Sequence, residues 1–154
     1  MAFAEASRAA GAPQQARMAY ENLIQRFANS KWVPEAWFGT GMALQQAKQF
    51  DRAVQAFTEA TRKTTSETAA KAQHQIGLCR AEQKRWQDAV NELLIVPATY
   101  DYAEVSAKSS LEAAKALVEL KDKDRAKEVL KGVVEDHPST AWAAEAAKRL
   151  AEIQ

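Results

Sequence analysis

A small residue stands 12 positions before an alanine at four places along this 154-residue chain. The pairs are Ala4 and Ala16, Gly41 and Ala53, Gly77 and Ala89, and Ala114 and Ala126. The four alanines follow one another at intervals of 37, 36 and 37 residues, so a longer unit recurs while the interval inside it stays fixed. A fixed interval is expected when a close contact locks two helices together and only the turn between units varies in length. A period of this size is typical of stacked helical hairpins.

The repeat predicts an all-α fold, an α-solenoid of about four antiparallel helical hairpins followed by a C-terminal capping helix. We call the first helix of each hairpin A and the second B. The predicted hairpins span about 1–30, 31–66, 67–102 and 103–139, the capping helix spans about 140–154, and together they form a single domain. Because repeat positions occur at the very first residues, the first hairpin is expected to begin in mid-helix, like a segment excised from a longer chain.

The B helices carry the clearest core pattern. In each of them, apolar residues follow the repeat alanine four and seven positions later, as Phe57 and Ala60 follow Ala53. This spacing places all three side chains on one helical face, which predicts that the face is buried.

The turns between hairpins also carry repeat positions. Trp32, Val105 and Trp142 hold equivalent places in their units and are expected to fill the seams between neighbouring hairpins. Pro97 is expected to end the third B helix, because proline lacks the backbone N–H that a helix interior uses.

These residues resemble the tetratricopeptide repeat, a helical hairpin with a Trp, then Leu-Gly and Tyr on helix A, and Ala, an aromatic, Ala and finally Pro on helix B. The second unit carries the resemblance best, through Trp37, Gly41, Leu44, Ala53, Phe57 and Ala60. The other units match by class of residue, with departures at Gln73, Arg80 and Ser110, and only Pro138 fills the final proline position. The resemblance covers nearly the whole chain. It implies a right-handed solenoid whose A helices line a concave face, and a non-enzymatic protein-binding role.

The period of 36 to 37 residues exceeds the family's period of about 34 residues. Since the interval from small residue to alanine never changes, the extra residues fall in the B-to-A turns. Longer turns of this kind resemble those of bacterial envelope proteins such as the TolA-binding periplasmic protein and the outer-membrane assembly lipoproteins. That resemblance implies a periplasmic or envelope-associated protein, while the residues themselves leave a cytoplasmic location open.

The resemblance also predicts which side chains would face a partner in the concave groove. Counted from the Gly41, Gly77 and Ala114 positions, the groove residues are Glu35, Phe38, Met42, Gln45 and Gln46 in the second unit, Lys71, His74, Leu78 and Glu82 in the third, and Lys108, Leu111, Lys115 and Glu119 in the fourth. The groove therefore combines an apolar lane with lysines. Such a surface suits an extended or helical peptide with apolar anchors and acidic residues.

Two other functions fit the repeat less well. The chain could be a structural spacer or a self-assembly module whose ends stack on neighbouring repeats. RNA binding by a helical repeat is a weaker alternative, because 21 Lys and Arg against 20 Asp and Glu give a net charge of only +1. We expect no nucleic acid partner, and no apolar run is long enough for membrane insertion.

The residue types that carry chemistry are sparse. His74 and His137 are far apart in the repeat, and the single cysteine, Cys79, aligns with small core residues. The acids of Asp122-Lys123-Asp124-Arg125 are expected to cap a helix and pair with nearby bases rather than bind metal. Arg80 stands where an aromatic core residue is expected, so either its head group pairs with an acid or the core opens there. The sequence thus predicts no enzyme activity, no cofactor and no metal.

Overall fold

The computed structural model describes residues 1, 4, 7 and 11–153, and this part of the chain forms eight helices without any strand. In chain order they are α1 (Pro13–Arg26), α2 (Val33–Gln46), α3 (Phe50–Lys63), α4 (Glu67–Glu82), α5 (Trp86–Thr99), α6 (Ala103–Glu119), α7 (Lys123–Asp136) and α8 (Ala141–Glu152). The all-α prediction is confirmed. Most of the first A helix predicted from the repeat lies outside the described residues.

The helices pack side by side in the order of the chain. Each helix packs against the next one in the chain, and α2, α4, α6 and α8 also pack against one another in succession. Along the described chain no such contact joins α1, α3, α5 and α7. The A helices therefore form the more closely spaced inner layer and the B helices the outer layer, which is the geometry of a solenoid.

The repeat glycines lie in the tightest contact inside each hairpin. A Cβ atom added to Gly41 would lie 2.5 Å from Cδ1 and Cε1 of Phe57, and one added to Gly77 would collide with Leu93. Both large residues come four positions after the repeat alanine and are fully buried. The 12-residue interval therefore marks the register, but the side chain that demands a small residue on helix A is the large one a turn beyond the alanine.

The turns from A to B share one backbone conformation. Lys48, Lys84 and Lys121 have φ values of 57°, 57° and 62°, in the left-handed region. At each turn the lysine N–H donates to the carbonyl three residues earlier, and the following N–H donates to the carbonyl five residues earlier, at 2.8 to 2.9 Å. This pair of bonds closes the end of the A helix as a Schellman motif, a position that favours glycine.

We expect Lys84→Gly to stabilise the protein by about 0.5–1 kcal/mol, because glycine adopts a positive φ without a steric cost. Lys131→Gly, at an exposed position inside α7, is the matched control and should destabilise by about 1 kcal/mol through lost helix propensity. Urea unfolding followed by circular dichroism measures both. A lower midpoint for Lys84→Gly would contradict the turn assignment.

Two predictions about helix ends and seams are wrong. Helix α5 continues through Pro97 to Thr99. The proline lacks only its own N–H bond to the carbonyl four residues earlier, and beyond it the N–H of Tyr100 still donates to the carbonyl of Val96, so the helix continues for two residues. Trp32 is 49% exposed and does not fill a seam, because the adjacent Val33 takes the buried place. Trp142 is partly buried.

Candidate functional site

The residues predicted to line the concave groove all lie on the inner helices α2, α4 and α6, but they differ in exposure. Gln46, Lys71, Glu82 and Glu119 are exposed, and Glu35, Phe38, Met42, Gln45, Leu78, Lys108 and Lys115 are partly buried. Leu111 and His74 are 1% and 3% exposed. The inner surface is therefore a mixture of half-buried apolar side chains and charged groups.

Leu111 and His74 were predicted to line the groove, but both are buried and a partner in the groove could not touch them. Leu111 packs with Leu130, Val133 and Ala146 in the core formed by α6, α7 and α8. The close spacing of the inner helices also buries His74, on α4, at its contact with α6. Counting along a repeat predicted the helix and the turn for both residues, but it missed how closely the next helix approaches.

Four of the predicted residues come together around one cavity of about 190 Å³ between α2 and α4. Glu35, Phe38 and Met42 contribute from α2, and Lys71 contributes from α4. Phe38 also packs on the buried Phe57, with ring centroids 5.6 Å apart, so its position is fixed by the core. This cavity is the clearest concave feature that the predicted groove residues share.

Met1, Tyr20, Gly39 and Thr68 also line this cavity and were absent from the prediction. Thr68 Oγ1 donates to Glu35 Oε1 at 3.3 Å and links the first turns of the two inner helices. Thr68 precedes Lys71 by three positions on α4, so helical spacing places both on one face and could have revealed it.

The second cluster of polar groups surrounds His74. Its Nδ1 lies 2.9 Å from Ser109 Oγ, and the Ser109 hydroxyl donates to the carbonyl of Val105 at 2.7 Å. Because that hydroxyl hydrogen is already used, Nδ1 of the neutral ring carries the proton and donates to Ser109. Burial, together with the charges of Lys108 and Lys115, lowers the pKa of His74 from 6.5 to about 4. The ring is therefore neutral at physiological pH.

The lysines of α6 are held in different ways. Lys115 Nζ lies 2.6 Å from Glu112 Oε1, whereas Lys108 Nζ lies 5.7 Å from the ring centroid of Trp142. Lys115 and Glu119 also border a second cavity of about 430 Å³, whose other wall includes Arg149 of α8 and Ile153, the residue after that helix. The repeat pattern does not indicate this cavity, since its far wall belongs to the capping helix.

The side chains that were candidates for a chemical role have structural roles instead. The head group of Arg80 pairs with an acid, which is the first of the two alternatives expected for it. Its side chain is 18% exposed, and Nη1 lies 3.3 Å from Asp51 Oδ1. A hydrogen bond from Gln83, followed by the charge of Arg80, lowers the pKa of Asp51. Cys79 is fully buried, and burial raises its thiol pKa to about 12, which keeps it protonated and unreactive.

Asp122 caps a helix, as predicted. Asp122 Oδ1 accepts a hydrogen bond from the backbone N–H of Arg125 at 3.2 Å and so caps α7. Within the described ranges, no group of three or more His, Cys, Asp or Glu side chains is placed to hold a metal ion. Nor do those ranges contain a helix long and apolar enough to cross a membrane.

The fold and its inner surface define the class of helical-repeat solenoids that generally serve as protein-interaction scaffolds. One sequence profile described as Tetratricopeptide repeat matches residues 1–68 and again residues 41–98. A second profile of the same description matches residues 108–140. The chain belongs to the tetratricopeptide repeat family. A search of curated proteins finds no match.

Solved structures support the same architecture. One similar structure contains the nearly identical TPR-like repeats of a kinesin light chain-like protein of Podosopora anserina, with a TM-score of 0.74, 17% identity, and coverage of 98% of this chain and 81% of that one. Another is MamA from Desulfovibrio magneticus RS-1, with a TM-score of 0.69, 18% identity, and coverage of 98% and 90%. At this level of identity the likeness establishes the fold alone.

Proposed function

We propose that this protein is a non-enzymatic scaffold that binds a peptide or a partner protein on the concave face of its A helices. The observation that carries the proposal is the cavity shared by Phe38, Met42 and Lys71, which joins apolar and charged side chains of two successive inner helices. Family membership supports it, because tetratricopeptide repeats generally mediate contacts between proteins.

The chemistry of the inner surface suggests the kind of partner segment. Phe38, Met42 and Leu78 are half-buried apolar side chains that could pack against the anchors of an extended or helical peptide. Lys71, Lys108 and Lys115 stand beside them and would attract acidic residues of the same segment.

The longer B-to-A turns support an envelope location as part of this proposal. At 17% and 18% identity the structural neighbours establish the fold alone and carry no argument about the compartment. Localisation of the tagged protein by cell fractionation would test the point directly.

Capture of partners from the native lysate tests the binding face. We expect Lys108→Glu combined with Lys115→Glu to reduce recovery of the captured protein by about tenfold or more, because reversed charges repel an acidic segment. Lys127→Glu combined with Lys131→Glu makes the same charge change on the outer helix α7 and should leave recovery unchanged. Quantitative mass spectrometry compares the two variants with the unmodified protein.

A second pair of variants tests the apolar lane. Phe38→Glu with Leu78→Glu should also abolish capture, and Ile95→Glu, at an exposed apolar position on the outer helix α5, is its control. Circular dichroism must first show that each variant is folded. Equal recovery by all folded variants would refute the concave site and favour the alternative of a spacer or self-assembly module.

A further inference from the structure

The cavity between α2 and α4 contains an acidic group whose hydrogen bonding is incomplete. Glu35 Oε1 accepts from Thr68 Oγ1 at 3.3 Å, whereas Glu35 Oε2 is buried and has no hydrogen-bond partner among the described residues. A buried oxygen without a hydrogen-bond donor costs free energy, and the cost is larger for a charged group. A donor brought by a ligand would recover it.

The repeat itself does not require an acid at this position. Lys71 and Lys108 occupy the positions of α4 and α6 that are equivalent to Glu35 on α2. The carboxylate thus replaces a lysine on the inner surface and reverses the local charge.

The walls of the cavity suit the stem and head of a basic side chain. Phe38 and Met42 line it together with Tyr20, which approaches from the outer helix α1. Aromatic faces attract cations, and a flexible methionine can move aside to let a side chain reach the buried oxygen. The volume of about 190 Å³ is smaller than that of pockets for drug-sized ligands, so the cavity admits a single side chain.

The neighbouring lysine does not neutralise the site. Lys71 borders the cavity, but its Nζ lies 3.0 Å from Glu67 Oε1, four residues earlier on α4. Lys71 therefore pairs with Glu67, and no salt bridge joins it to Glu35.

We infer that Glu35 and the surrounding aromatic and methionine side chains form a subsite for a lysine or arginine side chain of the partner segment. The inference rests on the proposed scaffold function and adds a requirement to it. The partner segment carries a basic residue at the α2 end of the groove and acidic residues toward the lysines of α6.

Two small cations and a neutral analogue test the subsite without knowledge of the partner. n-Butylguanidinium and n-butylammonium are titrated into ¹⁵N-labelled protein, and 1-pentanol serves as the uncharged probe. We expect at least one cation to cause saturable shifts of the backbone amides of Glu35, Phe38 and Thr68, with at least about tenfold weaker binding in Glu35→Gln. Glu82→Gln, at an exposed acid further along the groove, should bind the cation like the unmodified protein.

The inference is overturned if neither cation saturates, if 1-pentanol gives the same shifts, or if Glu35→Gln binds as tightly as the unmodified protein. The spectrum of each variant reports whether it is folded. A negative result for the basic subsite can be distinguished from a negative result for the proposed scaffold function. If Glu35→Gln captures the partner normally while the lysine and apolar variants do not, the basic subsite is refuted and the scaffold function stands.

Discussion

Replacing Gly41 by alanine should destabilise the protein by about 2 kcal/mol, although alanine is the better helix former. The added Cβ would lie 2.5 Å from two ring atoms of Phe57, a fully buried side chain. The overpacking cost exceeds the gain of about 1 kcal/mol in helix propensity. Urea unfolding monitored by circular dichroism gives the change in the free energy of unfolding.

Gly132 provides a control of opposite sign. It lies inside α7, and the nearest atom that an added Cβ would meet is Asp136 Oδ2 at 3.8 Å, an ordinary contact. Gly132→Ala should therefore stabilise the protein by about 0.5–1 kcal/mol.

A second substitution identifies the cause. In a Phe57→Ala background the atoms that the added Cβ would meet are absent, so Gly41→Ala should lose most of its cost, and the two changes should be strongly non-additive. Additive effects would mean that the glycine is needed for a reason other than its contact with Phe57. A neutral or stabilising Gly41→Ala in the unmodified background would show that helices α2 and α3 can move apart.

The register of the hairpins could be predicted because it depends on local size. A small residue on helix A and an alanine on helix B are needed wherever two helices approach closely, and this requirement leaves a fixed interval in the sequence. The same interval predicted that Cys79 is a core residue, as the structure confirms. The closest contact of Gly41 was assigned less accurately, since the ring of Phe57 lies one turn beyond Ala53.

Features that depend on the packing of one hairpin against the next were harder to predict. Position in the repeat treats Trp32, Val105 and Trp142 as equivalent, yet Val105 is buried and Trp32 is largely exposed. Likewise, Leu111 was expected in the groove but is enclosed by α7 and α8. Repeat position specifies the helix face but carries no information about the distance between neighbouring helices.

The left-handed lysines of the A-to-B turns illustrate another limit. Lys48, Lys84 and Lys121 recur at the spacing of the repeat, but a lysine gives no local signal for a positive φ. The residue that usually marks this conformation is glycine, which is absent from all three turns.

The candidate groove could be predicted in outline from the family pattern, but its chemistry could not. The incomplete hydrogen bonding of Glu35 depends on Thr68 and on the side chains that cover the second oxygen, and those contacts exist only once α2 and α4 are packed together. The place of the carboxylate on the inner surface was predicted. Its lack of a second donor is a property of the folded protein.

Because of His74, the free energy of unfolding should fall by about 2–3 kcal/mol when the pH is lowered from 7 to 4.5. Burial and the charges of Lys108 and Lys115 lower its pKa from 6.5 to about 4 in the folded chain. Between these two pH values the unfolded chain binds a proton at this residue and the folded chain does not, so acidification favours unfolding. The contribution is small above pH 6.5, grows as the pH falls, and levels off below about pH 4.

The surroundings of the two ring nitrogens explain why the folded protein disfavours protonation of His74. Nδ1 already donates to Ser109, so a proton could be added only at Nε2, which is buried and has no hydrogen-bond partner among the described residues. His74→Gln cannot titrate and should lose less stability than the unmodified protein over the same pH interval, by about 2–3 kcal/mol. Lys115→Gln removes one of the two charges but not the burial, and burial is the larger cause, so it should retain most of the pH dependence. Urea unfolding at pH 7 and pH 4.5 compares the three proteins, and an unchanged pH dependence in His74→Gln would show that other groups account for acid unfolding.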